Sequence, residues 1–288
     1  MRILITGASG LLGTTLAPFL AGIGHNIVRH GHSAGGDVSC DLTDRATTLA
    51  LVDDVRPEIA VNLVAWTDVD KCEQDPHEAY LHNTRPVENL VAGMRTHEGS
   101  FLIQISTDQV YDSVGPNPED NIRLANTYAL TKYAGELAAS LMPSTILRTN
   151  FFGPSLLPNR KSFSDWVLDN LRNSISFTAF TDVVTNPLSM MTLCTMIGRA
   201  IEKRIEGIFN LGSHGAMSKA DFIFEIARVY GLSTNAVKKG ASGEAGLFAY
   251  RPKDMSMDCG RFETAFDVTL PRLQDEISSL KGSSHATA

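Results

Sequence analysis

Two things are missing from this 288-residue chain: a long apolar run and an excess of positive charge. No stretch approaches the roughly 20 consecutive apolar residues that a membrane-spanning helix needs. The short apolar segment at the amino terminus runs straight into glycines, which is not the pattern of a signal peptide. Lys and Arg number 25 against 32 Asp and Glu, a formal charge of −7. That balance argues against a general nucleic-acid or anionic-membrane surface, though it leaves room for a local basic pocket. Cysteine is scarce too. Cys40, Cys72, Cys194 and Cys259 lie far apart with no C-x-x-C. This disfavours a disulfide framework or a zinc site and fits free thiols in a reducing cytoplasm. There is no internal repeat and no low-complexity block. Hydrophobic residues at 43% and charged residues at 20% are ordinary for a soluble globular protein. The length allows one large domain or two small ones.

Strand and helix signals alternate through the first half. Arg2-Ile-Leu-Ile-Thr6 is a short apolar strand. Gly7-Ala-Ser-Gly10-Leu-Leu-Gly13 follows, then a helical stretch from Thr14 to Ala21. Strand, glycine turn and helix is the context of a dinucleotide-binding fingerprint, here spaced G-x-x-G-x-x-G. The first glycine permits the tight turn, the second lets backbone N–H groups approach a pyrophosphate, and the third lets helix pack on strand. His25 to Val28 reads as the second strand, followed by Arg29-His30-Gly31-His32. An acid that would bind the cofactor ribose is expected about 20 residues past the glycines. Arg29 and His30 stand there instead. Arg29 suits a 2′-phosphate, so the reading leans to NADPH over NADH, with Asp37 as a rival ribose ligand. Asp41 and Leu42 fall near the adenine end.

Further strands are expected at Ile59–Val64, Phe101–Ile105 and Ser144–Arg148, with one long helix from Pro76 to His97. Strands alternating with helices imply a parallel sheet covered on both faces, with ligands beyond the carboxyl ends of its strands. Ala65-Trp66-Thr67 and Ser106-Thr107-Asp108 fall at two such ends. After Asn150 the rhythm changes. A Gly/Pro-rich loop spans 151–159 and a helix Phe163–Leu171. A strand is read at Ile208–Gly212, a helix at Lys219–Tyr230 with Ser218 as N-cap, and a loop at 238–247. The fold class is therefore α/β: a Rossmann-type doubly wound parallel sheet with a smaller discontinuous α/β lobe. The dinucleotide-binding domain is assigned to residues 1–150 plus about 177–213. The substrate-binding lobe takes 151–176 and about 214–280, and 281–288 form a flexible tail.

The run Asn126-Thr-Tyr-Ala-Leu-Thr-Lys-Tyr-Ala-Gly-Glu136 carries the chemistry. Tyr128 and Lys132 are four apart on a helix and share a face. A phenol is a poor acid–base catalyst at neutral pH until a neighbouring ammonium favours its phenolate. The pair can exchange a proton with a carbonyl or an alcohol.

Together these residues resemble the extended short-chain dehydrogenase/reductase superfamily over nearly the whole chain. Gly7, Gly10 and Gly13 match its glycine motif, and Tyr128 and Lys132 its catalytic pair. Ile105-Ser-Thr-Asp-Gln-Val-Tyr111 matches the strand end carrying its catalytic Ser or Thr, and Leu147 to Pro154 its substrate loop. Within the superfamily the chain is most similar to the dTDP-4-dehydrorhamnose reductase family, through Val61–Glu73, Ser106–Asp112, Arg251–Asp258 and Leu270-Pro271. It departs from that family at Leu124, where Pro is frequent, and at Ala129, where Gly is common. Asp182–Pro187 keeps part of the pattern, and Phe151 replaces a substrate-contacting Trp. These departures bear on the sugar and leave the proton and hydride chemistry intact.

The resemblance implies NADPH-dependent reduction of a 4-keto group on a nucleotide-linked deoxysugar. Thr107, Tyr128 and Lys132 would be catalytic. Gly7, Gly10, Leu11, Leu12, Gly13, Arg29, His30, Asp41, Leu42, Ala65, Trp66, Tyr128 and Lys132 would line the cofactor, and NADH would be an acceptable substitute. Thr107, Asp108, Tyr128, Asn150 and Phe151 would contact substrate. Some relatives use Mg2+, and Glu119 and Asp120 are acidic, but no specific metal site is apparent and an exposed acidic loop is the default. His25, His30 and His32 read as surface residues without ligand spacing. The expected partner is a nucleotide sugar, with no nucleic acid or membrane, in a cytoplasmic protein that could form a homodimer. Two other readings stay open. One is a nucleotide-sugar epimerase or dehydratase of the same superfamily. The other is a non-catalytic regulatory subunit resembling that of methionine adenosyltransferase.

Overall fold

The computed structural model describes residues 1–32 and 35–283, the last two by backbone alone. In chain order, the first elements are β1 (Arg2–Thr6), α1 (Gly13–Gly22), β2 (Asn26–Gly31), β3 (Val38–Ser39), α2 (Arg45–Val55) and β4 (Ile59–Asn62). Next come α3 (Val69–Gln74), α4 (Pro76–Asn83), α5 (Arg85–Met94), β5 (Phe101–Thr107), α6 (Thr127–Ala139) and β6 (Ser144–Thr149). Then follow β7 (Phe151–Phe152), α7 (Phe163–Arg172), β8 (Phe177–Phe180), β9 (Val184–Thr185), β10 (Leu188–Ser189) and α8 (Met190–Lys203). The last are β11 (Gly207–Leu211), β12 (Met217–Ser218), α9 (Lys219–Tyr230), β13 (Val237–Gly240), α10 (Gly260–Phe266) and α11 (Leu273–Ser283).

A seven-stranded sheet runs β11-β6-β5-β4-β1-β2-β3. The pairs from β5 across to β3 are all parallel. From β1 the chain steps outward to β2 and β3, then returns to β4 on the other side, so the winding reverses between β1 and β4. That is the switch point beyond which such sheets bind ligands. The central strands β1, β4 and β5 are buried along nearly their whole length because both faces are covered. On one face Leu51, Val52 and Val55 of α2, Val87, Leu90 and Met94 of α5, and Ala138 and Ala139 of α6 pack on Leu4, Ala60, Leu102 and Ile146. Each large aliphatic side chain buried this way contributes about 1.5–3 kcal/mol. Gly93 lets α5 approach α2, since a Cβ there would come within 3.1 Å of the Val52 side chain.

The segment read as one long helix is two. Thr84 closes α4 and opens α5, and Pro86 in the first turn of α5 has no N–H to continue the hydrogen-bond ladder. The expected loop at 238–247 also differs. Val237–Gly240 forms a parallel pair with Phe177–Phe180, and one 3₁₀ turn follows at Ser242–Glu244. Its Gly and Lys content disguises a strand whose pairing partner lies 60 residues earlier, and context outweighs intrinsic strand preference there. At the end of the chain, α11 runs to Ser283, past the expected start of the tail. Residues 284–288 lie outside the described residues.

The chain divides into two compact units. The first comprises Met1–Thr107, Asn126–Arg148 and Cys194–Phe209. The second comprises Asp108–Ala125, Thr149–Leu193 and the residues from Asn210 onward. These ranges differ from those read in the sequence. Residues 108–125 belong to the second unit, where Asn117 bridges the Ser256 and Asp258 backbones and the Tyr111 hydroxyl donates to Asn210 at 2.6 Å. Residues 177–193 do the same through the β8–β13, β9–β12 and β7–β10 pairs. The second unit has its own core of Phe152, Val167, Leu171, Phe222, Ile223, Ile226, Leu273 and Ile277. Two of its helices begin on side-chain caps, Ser162 in a capping box with Asp165 on α7 and Ser218 on α9. Among the described residues, no helix is long and apolar enough to cross a membrane.

Candidate active site

The glycine turn is built by close approach. Gly7 has φ of +70°, and a Cβ there would meet the Leu63 and Val64 backbone at 3.2 Å, where β1 and β4 end side by side. The Gly10 N–H donates to the Gly7 carbonyl at 2.9 Å. At Gly13 a Cβ would lie 2.6 Å from Ala8 and from the Gly7 carbonyl oxygen, so no other residue fits without moving the turn. Helices α2, α3, α4, α6, α7 and α9 all start on an Asp, Asn or Ser side chain that accepts a backbone N–H. Helices α1, α5 and α10 have no such cap, and of these three only α1, which follows Leu12, also has no acid in its first turn. Such a helix end, behind a turn that excludes side chains, fits a pyrophosphate.

The second strand continues through Gly31, so Arg29 and His30 lie within β2 rather than after it. Arg29 makes a two-pronged ion pair with Asp37, at 3.2 Å from Nε and 2.7 Å from the terminal nitrogen, and its backbone N–H donates to the same carboxylate. The two rivals for the ribose are thus partners of each other. The Arg29 guanidinium holds the Asp37 carboxyl down at about 2. The pair stays half exposed. His30 is buried, against the surface reading. It sits where β2 pairs with β3, with Nε2 at 3.0 Å from the Cys40 carbonyl. Burial pushes its pKa down, toward the neutral ring. Its own carbonyl accepts the Ala8 N–H and so braces the glycine turn. The Asp41 carboxylate is engaged locally by the Thr43 N–H and hydroxyl. The Leu42 side chain belongs to the core, and its carbonyl accepts from Asn89. Leu11 is half-buried and Leu12 buried beside the glycine turn, while Ala65 and Trp66 are half-buried past the end of β4. Asn83 fixes Trp66 by accepting its N–H at 2.7 Å.

Thr107 ends β5, and Tyr128 and Lys132 lie one turn apart on α6, which packs beside β5. All three are buried. Helix α6 is held firmly at its start. Asn126 caps it through the Ala129 N–H at 2.8 Å, and Glu73 accepts the Thr127 N–H at 2.8 Å. Gly135 lets α6 press on α4, where a Cβ would be 2.9 Å from the Asn83 carbonyl oxygen. The Lys132 ammonium donates to the Ile105 carbonyl at 2.8 Å, two residues before Thr107. Burial brings its pKa down to about 8, and the Glu136 carboxylate, one turn further on, opposes that shift.

Glu136 is itself fully buried. It accepts from the Ser106 hydroxyl at 2.5 Å and from Arg148 Nε and the terminal nitrogen at 3.0 and 2.6 Å. The two residues before Thr107 are thus both tied to α6, Ile105 by Lys132 and Ser106 by Glu136. These supports were not singled out from sequence. The available signal was a large amide or charged residue in a strand otherwise made of apolar and small hydroxyl residues: Gln104 in Phe101–Thr107, Arg148 in Ser144–Thr149 and Asn62 in Ile59–Asn62.

Asp108, Asn150 and Phe151 fall in the second unit. There Asp108 accepts from Asn150 Nδ2 and from the Thr185 hydroxyl, both at 2.9 Å. Phe151 is half-buried in β7. Glu119 accepts the Asn210 N–H at 3.0 Å. Among the described residues no cluster of His, Cys, Asp and Glu is arranged to hold a metal.

The RmlD substrate binding domain family model matches residues 1–283. A relative from Haloferax volcanii, "probable low-salt glycan biosynthesis reductase Agl14", is 27% identical over 293 residues, covering 98% of this chain and 97% of its own. A dTDP-4-dehydrorhamnose reductase from Sinorhizobium fredii is 29% identical over 262 residues, covering 85% of this chain and 86% of its own. The crystal structure of dTDP-4-dehydrorhamnose reductase from Bacillus anthracis in complex with NADP superposes with a TM-score of 0.88 at 23% identity, covering 98% and 99% of the two chains.

Proposed function

Since the chain belongs to the RmlD substrate binding domain family, an extended short-chain dehydrogenase/reductase-like group, we propose that it is an NADPH-dependent reductase. Its substrate would be the 4-keto group of a nucleotide-linked deoxysugar, with a dTDP-linked 4-keto sugar first in line. The observation that carries this reading is that Thr107 ends β5 while Tyr128 and Lys132 stand one turn apart on α6, which packs on β5. There the buried Lys132 ammonium is anchored two residues from Thr107.

Each residue type suits its task. Tyr128 donates a proton to the oxygen of the reduced carbonyl. The Lys132 charge, one turn along the same helix face, favours the phenolate left behind. The Thr107 hydroxyl orients the carbonyl and stabilises the negative charge that builds on its oxygen. The turn Gly7–Gly13 and the uncapped start of α1 receive the pyrophosphate, and Arg29 faces the 2′-phosphate in competition with Asp37. When bound, the dihydronicotinamide supplies the hydride for C4. The names of the two relatives and the NADP in the structural neighbour support this assignment of activity and cofactor.

The test is a panel of nucleotide-linked 4-keto sugars, varied in nucleotide and in sugar stereochemistry, read by loss of NADPH absorbance. A member of the panel should be reduced with stoichiometric NADPH consumption. A tightly held dinucleotide that copurifies and is never consumed, together with sugar isomerisation, would sink the reductase reading in favour of an epimerase.

A further inference from the structure

Polar side chains are rare inside a parallel sheet covered on both faces, yet β1, β4 and β5 each carry one at the same level. Thr6 pairs in register with Asn62, and Asn62 with Gln104, so the three side chains share one face of the sheet. None has any exposed surface. The Thr6 hydroxyl donates to Asn62 Oδ1 at 2.5 Å, and Asn62 Nδ2 donates to Gln104 Oε1 at 2.9 Å. Gln104 Nε2 then turns back to its own strand and donates to the Ile105 carbonyl at 3.1 Å. That oxygen is the acceptor of the Lys132 ammonium at 2.8 Å.

We propose that Thr6, Asn62 and Gln104 are positioning residues: a buried ladder from the strand that enters the glycine turn to the carbonyl that holds the Lys132 ammonium. The inference rests on the reading of Lys132 as the cation of the reductase site. Setting the strand register alone would need only the two cross-strand bonds. The third bond links no two strands. It fixes the peptide on which Lys132 rests, and through Thr6, next to Gly7, it ties that peptide to the dinucleotide turn. Half-satisfied buried amides are costly, so a ladder complete at every step is a strong constraint on position. The charged and titratable neighbours of Lys132 on α6 are Tyr128 and Glu136, and Arg148 reaches the same place from β6.

The variant Gln104→Met keeps the volume and removes the donor. Two donors sharing one oxygen weaken each other, so Lys132 alone on that carbonyl should be held better as an ammonium. Its pKa, followed by NMR of 13C-methylated lysines with Lys132→Arg for assignment, should rise by about half a unit or more. Turnover of the wild-type substrate should fall roughly tenfold, because the ammonium settles in a new place. The alkaline limb of the pH–rate profile should move up with it. Should Q104M fail to fold, T6V/N62L/Q104M removes every member of the ladder together and leaves no side-chain amide of it orphaned, while the Val64 N–H loses its 3.3 Å bond to Asn62 Oδ1. The same two readouts apply. A folded variant with an unmoved Lys132 titration and an unmoved pH limb would overturn the proposal, even if it melted earlier. The titration needs no substrate, so it stands whether or not the proposed reductase activity is found.

Discussion

Replacing Arg148 by Met should cost this protein more stability than its loss of hydrogen bonds alone suggests. Arg148 and Glu136 are 1% and 0% exposed, and the guanidinium meets the carboxylate through Nε and a terminal nitrogen. Removing one partner of such a buried pair leaves an uncompensated charge and typically costs about 3–5 kcal/mol. In R148M the Glu136 carboxylate would keep the Ser106 hydroxyl and lose both guanidinium bonds. At about 2–4 °C per kcal/mol for a unit of this size, the melting temperature of the first unit should drop by roughly 6–20 °C. The sequence contains two tryptophans, Trp66 and Trp166, and they fall in different units. In a W166F background the emission of Trp66 therefore reports the unit that contains the pair. The double variant E136Q/R148M removes both charges and should recover most of the loss, since an apolar or neutral replacement of a whole buried pair is close to neutral. A single-variant loss below about 1 kcal/mol, or a double variant no better than R148M, would show that the pair does not bear on stability as argued.

Tyr128→Phe removes the proton donor and leaves the ring, so turnover should fall by at least about 10²-fold with dinucleotide binding retained; a nearly wild-type rate would take Tyr128 out of the mechanism. Lys132 has a folded pKa of about 8 against an ordinary 10.5, so its ammonium is lost as pH rises through 8, and turnover should fall there. Lys132→Arg, which stays charged, should flatten that limb. Between about pH 8 and 10.5 the unfolded chain holds the extra proton, so the contribution of Lys132 to stability increases with pH across that window and is least below it. Urea midpoints of Lys132→Met should lack this rise relative to the parent. Arg29→Ala should weaken NADPH more than NADH by titration calorimetry, and Asp37→Asn should tighten NADPH a few-fold by releasing Arg29 from its carboxylate. Equal losses for the two cofactors in Arg29→Ala would mean that Arg29 does not read the phosphate.

What the sequence disclosed was local. Gly7, Gly10 and Gly13 stand within seven residues of one another, and a Cβ at Gly10 or Gly13 would meet atoms of the turn itself, those of Gly7 and Ala8. Tyr128 and Lys132 need only the helix that carries them, and Asn126 begins that helix visibly. The supports of the site were illegible because their partners are distant. Asn62 lies 56 residues from Thr6 and 42 from Gln104, and only the strand register brings them level. Read alone, an Asn at the end of Ile59–Asn62 suggests a fraying strand, and a Gln in the middle of Phe101–Thr107 suggests an isolated polar intrusion. Read across the sheet, they form one connected line. Arg29 and Asp37 show the same limit at shorter range: eight residues separate them, yet their side chains meet, and two candidate ribose ligands become a single pair. A carboxylate and a guanidinium that neutralise each other at the place of cofactor choice should discriminate poorly between a ribose hydroxyl and its phosphate. On the proposed assignment of Arg29 to the 2′-phosphate, the tolerance of NADH would follow the strength of that pair more than the identity of either residue.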